Sequence, residues 1–367
     1  MRHVDCLIVG QGIAGTTLAW SLRERGASVF VIDRQEPVTS SKIAAGLMTS
    51  VTGQRLVPSW RWKELWPAAC EFYGRFEAET GAKVLHVRPM VRFLVSGTER
   101  ASLDRRQSGE DARLFAPLTT PLRPEWFSAS EPAVLLSEGG RLDVLPYLEH
   151  ARRLLEREGA SAPLPLSLPG DVVVTPGGIR LAVDPGLTAD RIVFCDGIAA
   201  VNNPWLRGLR FNPARGEILT VRVPDLDEDR IVHRGLWLAR QAGDLYRVGA
   251  TYDWKDLAAG PTAAGRGELA TRLRELLRLP FEIVQHDAAI RPILHQLPPV
   301  AGFLPGNPRI GCFNGLGSKG ALQAPFFAQQ FASHILQGSP LDPEVDVARR
   351  KDFCAGGGPL SDRDASR

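Results

Sequence analysis

Gly10, Gly12 and Gly15 in VGQGIAG, with Asp33 closing ASVFVID, are spaced to hold a phosphorylated ligand. VDCLIV (4–9) reads as a buried strand, GQGIAG as a tight turn and TTLAWSLRERG (16–26) as a helix stopped by Gly26. The acid lies 18 residues after Gly15, at the end of a second strand over 27–33, which is the context a G-x-G-x-x-G dinucleotide turn requires. Gly10 permits the turn, Gly12 lets backbone approach a pyrophosphate, and Gly15 lets helix pack closely on strand. The helix amides then face phosphate while Asp33 accepts from ribose hydroxyls. The plainer alternative, a βαβ unit whose glycine turn holds nothing, fits that context poorly.

This unit alone leaves NAD and FAD both open, and three later segments favour FAD. The small-residue loop SSKIAAGLM replaces the helix that should follow the second strand, and suits passage of a large flat ring. ADRIVFCDG reads as a strand returning to the same sheet. The passage RIGCFNGLGSKGALQAPFFAQQFASHIL holds a second G-x-G-x-x-G, Gly315, Gly317 and Gly320, again between strand and helix. No apolar strand ending in an acid follows it, so it is not a second dinucleotide fingerprint. It would aim a helix N-terminus at the pyrimidine end of a reduced flavin, where negative charge gathers. Lys319 either adds a cation there or is a solvated lysine at a helix start; both readings stand.

The elements that must position these turns follow from periodicity. Leu65, Ala69, Phe72 and Phe76 mark a helix within 60–80, ended by Gly81, with Trp60, Trp62 and Trp66 on it read as core. Residues 84–96 read as two short strands, and 97–135 as a less regular, Pro-interrupted region with one helix near 99–106. A helix with Leu145, Leu148, Leu154 and Leu155 inward ends at Gly159, and short strands follow near 164–168, 171–174, 179–183 and 190–195. From 216 to 250 the pattern is antiparallel strands; then come a helix over 263–278, a strand over 281–290, an irregular Pro-rich passage over 292–308, a strand over 309–313 and a long helix over 318–337.

The 367 residues exceed what one hydrophobic core usually holds, so two or three domains are expected. With 44% hydrophobic and 23% charged residues, disorder, collagen and coiled coil are excluded as whole-chain descriptions. The net charge of +3, from 44 Lys and Arg against 41 Asp and Glu, has no basic block, so nucleic acid is not indicated. Five scattered cysteines without a CxxC favour reduced thiols and a cytoplasmic setting. No signal segment, transmembrane run, metal-ligand spacing or Ser-His-Asp set is expected.

By segment and in order, the chain resembles the D-amino-acid oxidase, glycine oxidase and sarcosine oxidase family of flavoproteins. The resemblance rests on VGQGIAGTTLAWSLRERGASVFVIDR, SSKIAAGL, GGRLDVLPYL, ADRIVFCDG, PARGEILTV, LYRVGATYDW, IRPILHQLPPVAG and NGLGSKGALQAP, and spans most of 1–340. It implies FAD held by Gly10, Gly12, Ile13, Ala14, Gly15, Asp33, Arg34, Ser40, Ser41, Ala44, Ala45 and Gly46. It also implies Val172 beside the adenine, Gly197 near the cofactor, and Leu316, Gly317, Ser318, Lys319, Gly320, Ala321 and Leu322 at the flavin ring. Arg291, in the family's R-P segment, would hold a substrate carboxylate. With Lys319 it forms the expected catalytic pair; Trp237, Tyr252, Arg247 and Ser318 complete the expected substrate contacts, and His295 is a further polar candidate.

The departures from the family matter equally. Ser318 stands where glycine oxidases have a second substrate arginine, and Trp237 where they have a tyrosine, which argues against glycine as the substrate. Arg247 stands where sarcosine oxidases carry an oxygen-activating lysine, which puts oxygen as the acceptor in question. No cysteine lies in 292–311, so non-covalent FAD is expected. Arg215 in PARGE would bridge domains or sit near flavin.

The expected fold is therefore α/β, with a Rossmann-like FAD-binding domain of the glutathione-reductase type and an interleaved antiparallel-sheet substrate domain. The FAD domain is expected over 1–85, 140–210 and 285–345, the substrate domain over 86–139 and 211–284, and a disordered tail over 346–367. The expected activity is oxidation of a C–N bond in a small amine or amino acid to an imine, with electrons passing to oxygen or another acceptor. Two alternatives are an oxidase acting on a modified tRNA base and a flavin-bound assembly or electron-relay protein with no small substrate of its own.

Overall fold

A computed structural model describes residues 2–128, 130–184, 186–257, 260–295 and 298–350. The chain forms two compact units, one of Met1–Ala44, Val144–Ala214 and Ile290–Arg367, the other of Ala45–Asp143 and Arg215–Ala289.

The first unit is built around β1 (Arg2–Val9), α1 (Ile13–Arg23) and β2 (Val29–Asp33). β1 pairs in parallel with β2, Val9 opposite Ile32, and on its other side with the strand Leu187–Phe194, Val9 opposite Phe194. The runs CLIV, VFVI and IVF are apolar at nearly every position because a parallel sheet is covered on both faces. Strand Leu187–Phe194 has two neighbours on its far side. Its first half meets Gly178–Leu181, the second strand of a hairpin begun at Val172, and its last three residues run parallel to Ile310–Cys312. Strand order thus reverses between β1 and Leu187–Phe194, and the carboxyl ends of those two strands are where an open α/β sheet binds ligands. Helix Gly320–Gln337 packs along α1, and a Cβ at Gly320 would lie 3.0 Å from Ile13 Cγ2, so the two helices start side by side.

In three places this unit differs from the sequence expectation. The strand expected over 164–168 is confined to Ser161–Pro163, because Pro165 and Pro169 have no amide to give to a ladder; Leu164, Leu166 and Leu168 still pack on the core. The Pro-rich passage hides a strand, Val300–Leu304, antiparallel to Asn307–Asn314. The chain also stays ordered past 345: Val345 and Val347 are buried, a short helix spans Val347–Arg349, and Ala301 bridges Asp346. The rest of the expected disordered tail, 351–367, lies outside the described residues.

The second unit holds an eight-stranded sheet whose order begins Glu282–Arg291, Ala214–Arg222, Leu245–Gly249, Trp237–Ala242. Leu219, Val221, Leu238, Tyr246 and Val248 turn one face onto Leu269, Leu273 and Leu276 of helix Ala263–Leu276. Residues 45–85, expected with the FAD domain, belong to this unit. Leu47–Thr49 and Leu85–Val87 flank Gly139–Leu142 in a three-stranded sheet, a pairing that ties the segment to residues far along the chain. Helix Trp62–Thr80 buries Trp62, Leu65, Ala69, Phe72 and Phe76 as its spacing predicts, and Trp66 stacks on Trp62 at 5.1 Å.

Helix Ala263–Leu276 is seated on a buried carboxylate. Glu217 accepts from the Thr262 amide at 3.0 Å and the Thr262 hydroxyl at 2.8 Å, lies 2.7 Å from His286 Nε2, and has Arg215 at 3.4 Å. A Cβ at Gly265 would fall 2.3 Å from Glu217 Oε2. Gly265→Ala must displace either the helix or this carboxylate, so a loss of about 1–3 kcal/mol is expected. The check is the thermal midpoint of the variant, which should fall by several degrees; an unchanged midpoint would mean the helix start is not tightly seated.

Candidate functional site

The first glycine turn is fixed by contacts that leave no room for side chains. Gly10 has φ +101°, and a Cβ there would meet the Cys195 carbonyl oxygen at 2.6 Å; one at Gly15 would lie 1.9 Å from the Gly10 carbonyl oxygen. Helix α1 is therefore pressed onto the end of β1. Gly12 is the residue before its first turn, in extended conformation, and a Cβ there would touch Ser41 Oγ at 3.0 Å. Ser41 Oγ accepts from the Ile13 amide at 3.0 Å, which brings the small-residue loop to the helix start. Ala14 is buried in the first turn, and Ser40 opens the short helix Ser40–Ile43.

Asp33 braces the turn from β2. Its Oδ2 accepts from the Gln11 amide at 2.6 Å and its Oδ1 from the Gln35 amide at 2.6 Å, so each oxygen keeps a lone pair for a ribose hydroxyl. Gln11 was not singled out from sequence. Its Oε1 accepts from Arg152 Nε at 2.8 Å, while its buried Nε2 has no hydrogen-bond partner. An unsatisfied donor beside a glycine cradle that excludes every side chain suits a phosphorylated cofactor that supplies the missing acceptor. These residues fit the FAD expected there.

The second glycine turn is anchored to the same sheet edge. Gly315 and Gly317 have φ of +78° and +53°, and the Gly315 amide donates to Asn314 Oδ1 at 2.7 Å. Asn314 Nδ2 donates to the Gly197 carbonyl at 2.9 Å and reaches Asp196 Oδ1 at 3.3 Å. Lys319 is the N-cap residue of helix Gly320–Gln337, and burial pushes its ammonium down to about 8. Leu316, Ala321 and Leu322 are buried, whereas Ser318 is exposed. Gly197 has φ +56°. Val172 lies in the apolar core beneath the hairpin, and Arg34 is exposed and paired with Glu36 at 3.3 Å. Ala44 ends the first segment of the first unit, while Ala45 and Gly46 belong to the second.

In the second unit the register Trp237 to Gly249 and Ala239 to Arg247 puts Trp237 and Arg247 on the sheet face turned away from the helix. The Trp237 ring covers Gly249, where a Cβ would lie 2.6 Å from Cζ2. Burial lowers the Arg247 pKa, opposed by Asp287 and assisted by Arg141. Tyr252 is exposed and stacked on Trp254 at 5.6 Å. Arg215 is held within its own unit by Asp253 at 3.0 Å and by Glu217, which accounts for it as a structural ion pair. Arg291 ends the strand Glu282–Arg291, half-buried, its carbonyl accepting from the Ile293 amide at 2.9 Å. The His295 amide donates to the Arg210 carbonyl at 2.8 Å. Among the described residues there is no cluster that could hold a metal ion and no helix long and apolar enough to cross a membrane.

Comparison with known proteins bears on the fold and the family. The structure of glycine oxidase from Geobacillus kaustophilus superposes with a TM-score of 0.77 at 18% identity, over 93% of this chain and 96% of that one. Iminodiacetate oxidase from Chelativorans gives 0.70 at 21% identity, over 92% and 96%. Among curated sequences, the tRNA 5-methylaminomethyl-2-thiouridine biosynthesis bifunctional protein of Marinobacter nauticus is 26% identical over 94% of this chain, which spans only 57% of that protein's length. The family profile described as FAD dependent oxidoreductase matches residues 5–334. With two glycine turns fixed at the carboxyl edge of one parallel sheet and that profile covering most of its length, the chain belongs to the FAD-dependent oxidoreductase family.

Proposed function

We propose that this enzyme oxidises the C–N bond of a small amine or amino acid to an imine that water then hydrolyses. FAD, when bound, supplies the acceptor for the hydride lost from the α-carbon. The observation that carries the reading is the sheet face of the second unit, which Trp237 and Arg247 share as diagonal neighbours on adjacent strands. An aromatic wall with a fixed cation suits a small anionic substrate, and a neutral amine losing hydride needs no strong side-chain base.

Arg291 is the carboxylate anchor in this reading: its planar fork fixes a carboxylate in one orientation and with it the α-carbon. Lys319 stands at the start of helix Gly320–Gln337, where it adds positive charge to that of the helix end. Arg247 keeps the charge of the family's oxygen-activating lysine, but a guanidinium is a poor proton donor even where burial lowers its pKa, which favours an acceptor other than oxygen. The buried free thiols Cys6, Cys195 and Cys312 suit a reducing, cytoplasmic setting. The tRNA substrate named for the Marinobacter relative is not carried over, since 44 basic against 41 acidic residues give no nucleic-acid footprint.

Two measurements test these assignments. Gly12 sits at φ −74°, which any residue adopts, but a Cβ there would already lie 3.0 Å from Ser41 Oγ, so Gly12→Val crowds the helix start and the phosphate space before it without straining the backbone. The purified variant should lose most of its flavin absorbance per protein while keeping its far-UV circular dichroism; full flavin content would remove Gly12 from the cofactor site. Anaerobic mixing of the holoenzyme with a panel of amines and amino acids should bleach the flavin. Arg291→Ala should then raise KM for acidic substrates by about ten- to a hundredfold, as expected for losing a charge-assisted hydrogen bond, with FAD retained. Wild-type turnover of an amino acid by that variant would reject Arg291 as the anchor.

A further inference from the structure

Asp196 is a carboxyl group in the wrong place for an anionic cofactor. It follows strand Leu187–Phe194 and Cys195, and a Cβ at Gly10 would lie 3.4 Å from its Cα, so it adjoins the turn assigned to the pyrophosphate. Its Oδ2 accepts from Asn203 Nδ2 at 3.1 Å and its Oδ1 from Asn314 Nδ2 at 3.3 Å, both neutral donors. The same Asn314 holds Gly315 of the second glycine turn. One acid side chain is therefore hydrogen-bonded into the link between the two turns, and among the described residues no ion pair neutralises it.

We propose that Asp196 is a positioning residue whose proton is coupled to the cofactor: FAD binds best when this carboxyl is neutral, and loses affinity when it ionises. A pyrophosphate would bring two negative charges to the turn that Asp196 adjoins, and like charges held out of water repel strongly. Burial raises the Asp196 pKa to about 6, against the pull of the two asparagines and of Arg34. The groups facing it are few. Arg34 acts from the loop after β2 while paired with Glu36; Cys195, the residue before Asp196, and Cys312, on the adjacent strand Asn307–Asn314, are thiols that burial keeps protonated. The inference rests on the family's cofactor and not on the amine substrate.

The sign follows from linkage. A bound pyrophosphate raises the Asp196 pKa further, so binding takes up a proton; affinity is greatest below about pH 6 and falls as pH rises, about tenfold in all if binding raises the pKa by about one. Lys319, with its pKa near 8, adds a separate fall at higher pH. The test dilutes the holoenzyme through the nanomolar range between pH 5 and 9 and follows freed flavin by fluorescence. Wild type should release FAD more readily between pH 5.5 and 7.5. Asp196→Asn should lose that step, bind as wild type does at low pH, and keep only the fall near pH 8. A flat wild-type profile below pH 7.5 overturns the proposal with no variant needed, and an unchanged step in Asp196→Asn overturns it as well.

Discussion

The contact between Gly15 and the Gly10 carbonyl oxygen is the constraint on which the first unit depends. A missing methylene, 1.9 Å from that oxygen if it were present, lets α1 lie directly on the carboxyl end of β1. From that approach follow the direction of the helix amides, the reach of Ser41 to Ile13, and the bracing of the Gln11 amide by Asp33. The close start of helix Gly320–Gln337 beside Ile13 follows too, because a displaced α1 would separate the two glycine turns. A helix N-terminus concentrates partial positive charge, and two adjacent ones make a region where anions are stabilised and cations are not. Lys319 sits in that region, with a pKa that burial has lowered.

The second unit answers to a different constraint, a charged centre beneath a helix. Glu217 gathers Thr262, His286 and Arg215, and Arg215 in turn holds Asp253 at 3.0 Å. A buried ion network contributes little net stability compared with apolar packing, but it is intolerant of losing one member. Here it fixes the loop that carries Tyr252 and Trp254, since the Asp253 backbone bridges Arg215. The arginine of PARGE is thus a structural residue of the sheet.

What the sequence made legible was local. Glycines at fixed spacing beside apolar runs can be read because turn, strand and helix are neighbours along the chain, and they lie where expected. Leu65, Ala69, Phe72 and Phe76 were readable for the same reason. What escaped was assembled by distant pairing. Leu47–Thr49 carries no mark that its partner is Gly139–Leu142, so residues 45–85 read as part of the FAD domain although they cluster with the second unit. Asp196, Asn203 and Asn314 meet only because strands Leu187–Phe194 and Asn307–Asn314 run side by side. Strand Val300–Leu304 is masked by the prolines before it, although its residues VAGFL are apolar and all but Phe303 are buried. The orphaned amide of Gln11 leaves no sequence signal at all, since the variable position in G-x-G-x-x-G admits many residues.

The strand pairing has a consequence for how the protein is made. β1 and β2 leave the ribosome early, yet β1's other neighbour is Leu187–Phe194, and that strand in turn needs Ile310–Cys312. Parallel strands so far apart close long loops before any contact rewards them, which makes folding slow. The nascent βαβ unit therefore waits, with the β1 edge open, until Leu187–Phe194 has been synthesised. Such an edge is prone to aggregation while it waits. The second glycine turn follows strand Asn307–Asn314, so both turns are present only once that part of the chain is made, and FAD would act as a ligand that stabilises the completed fold.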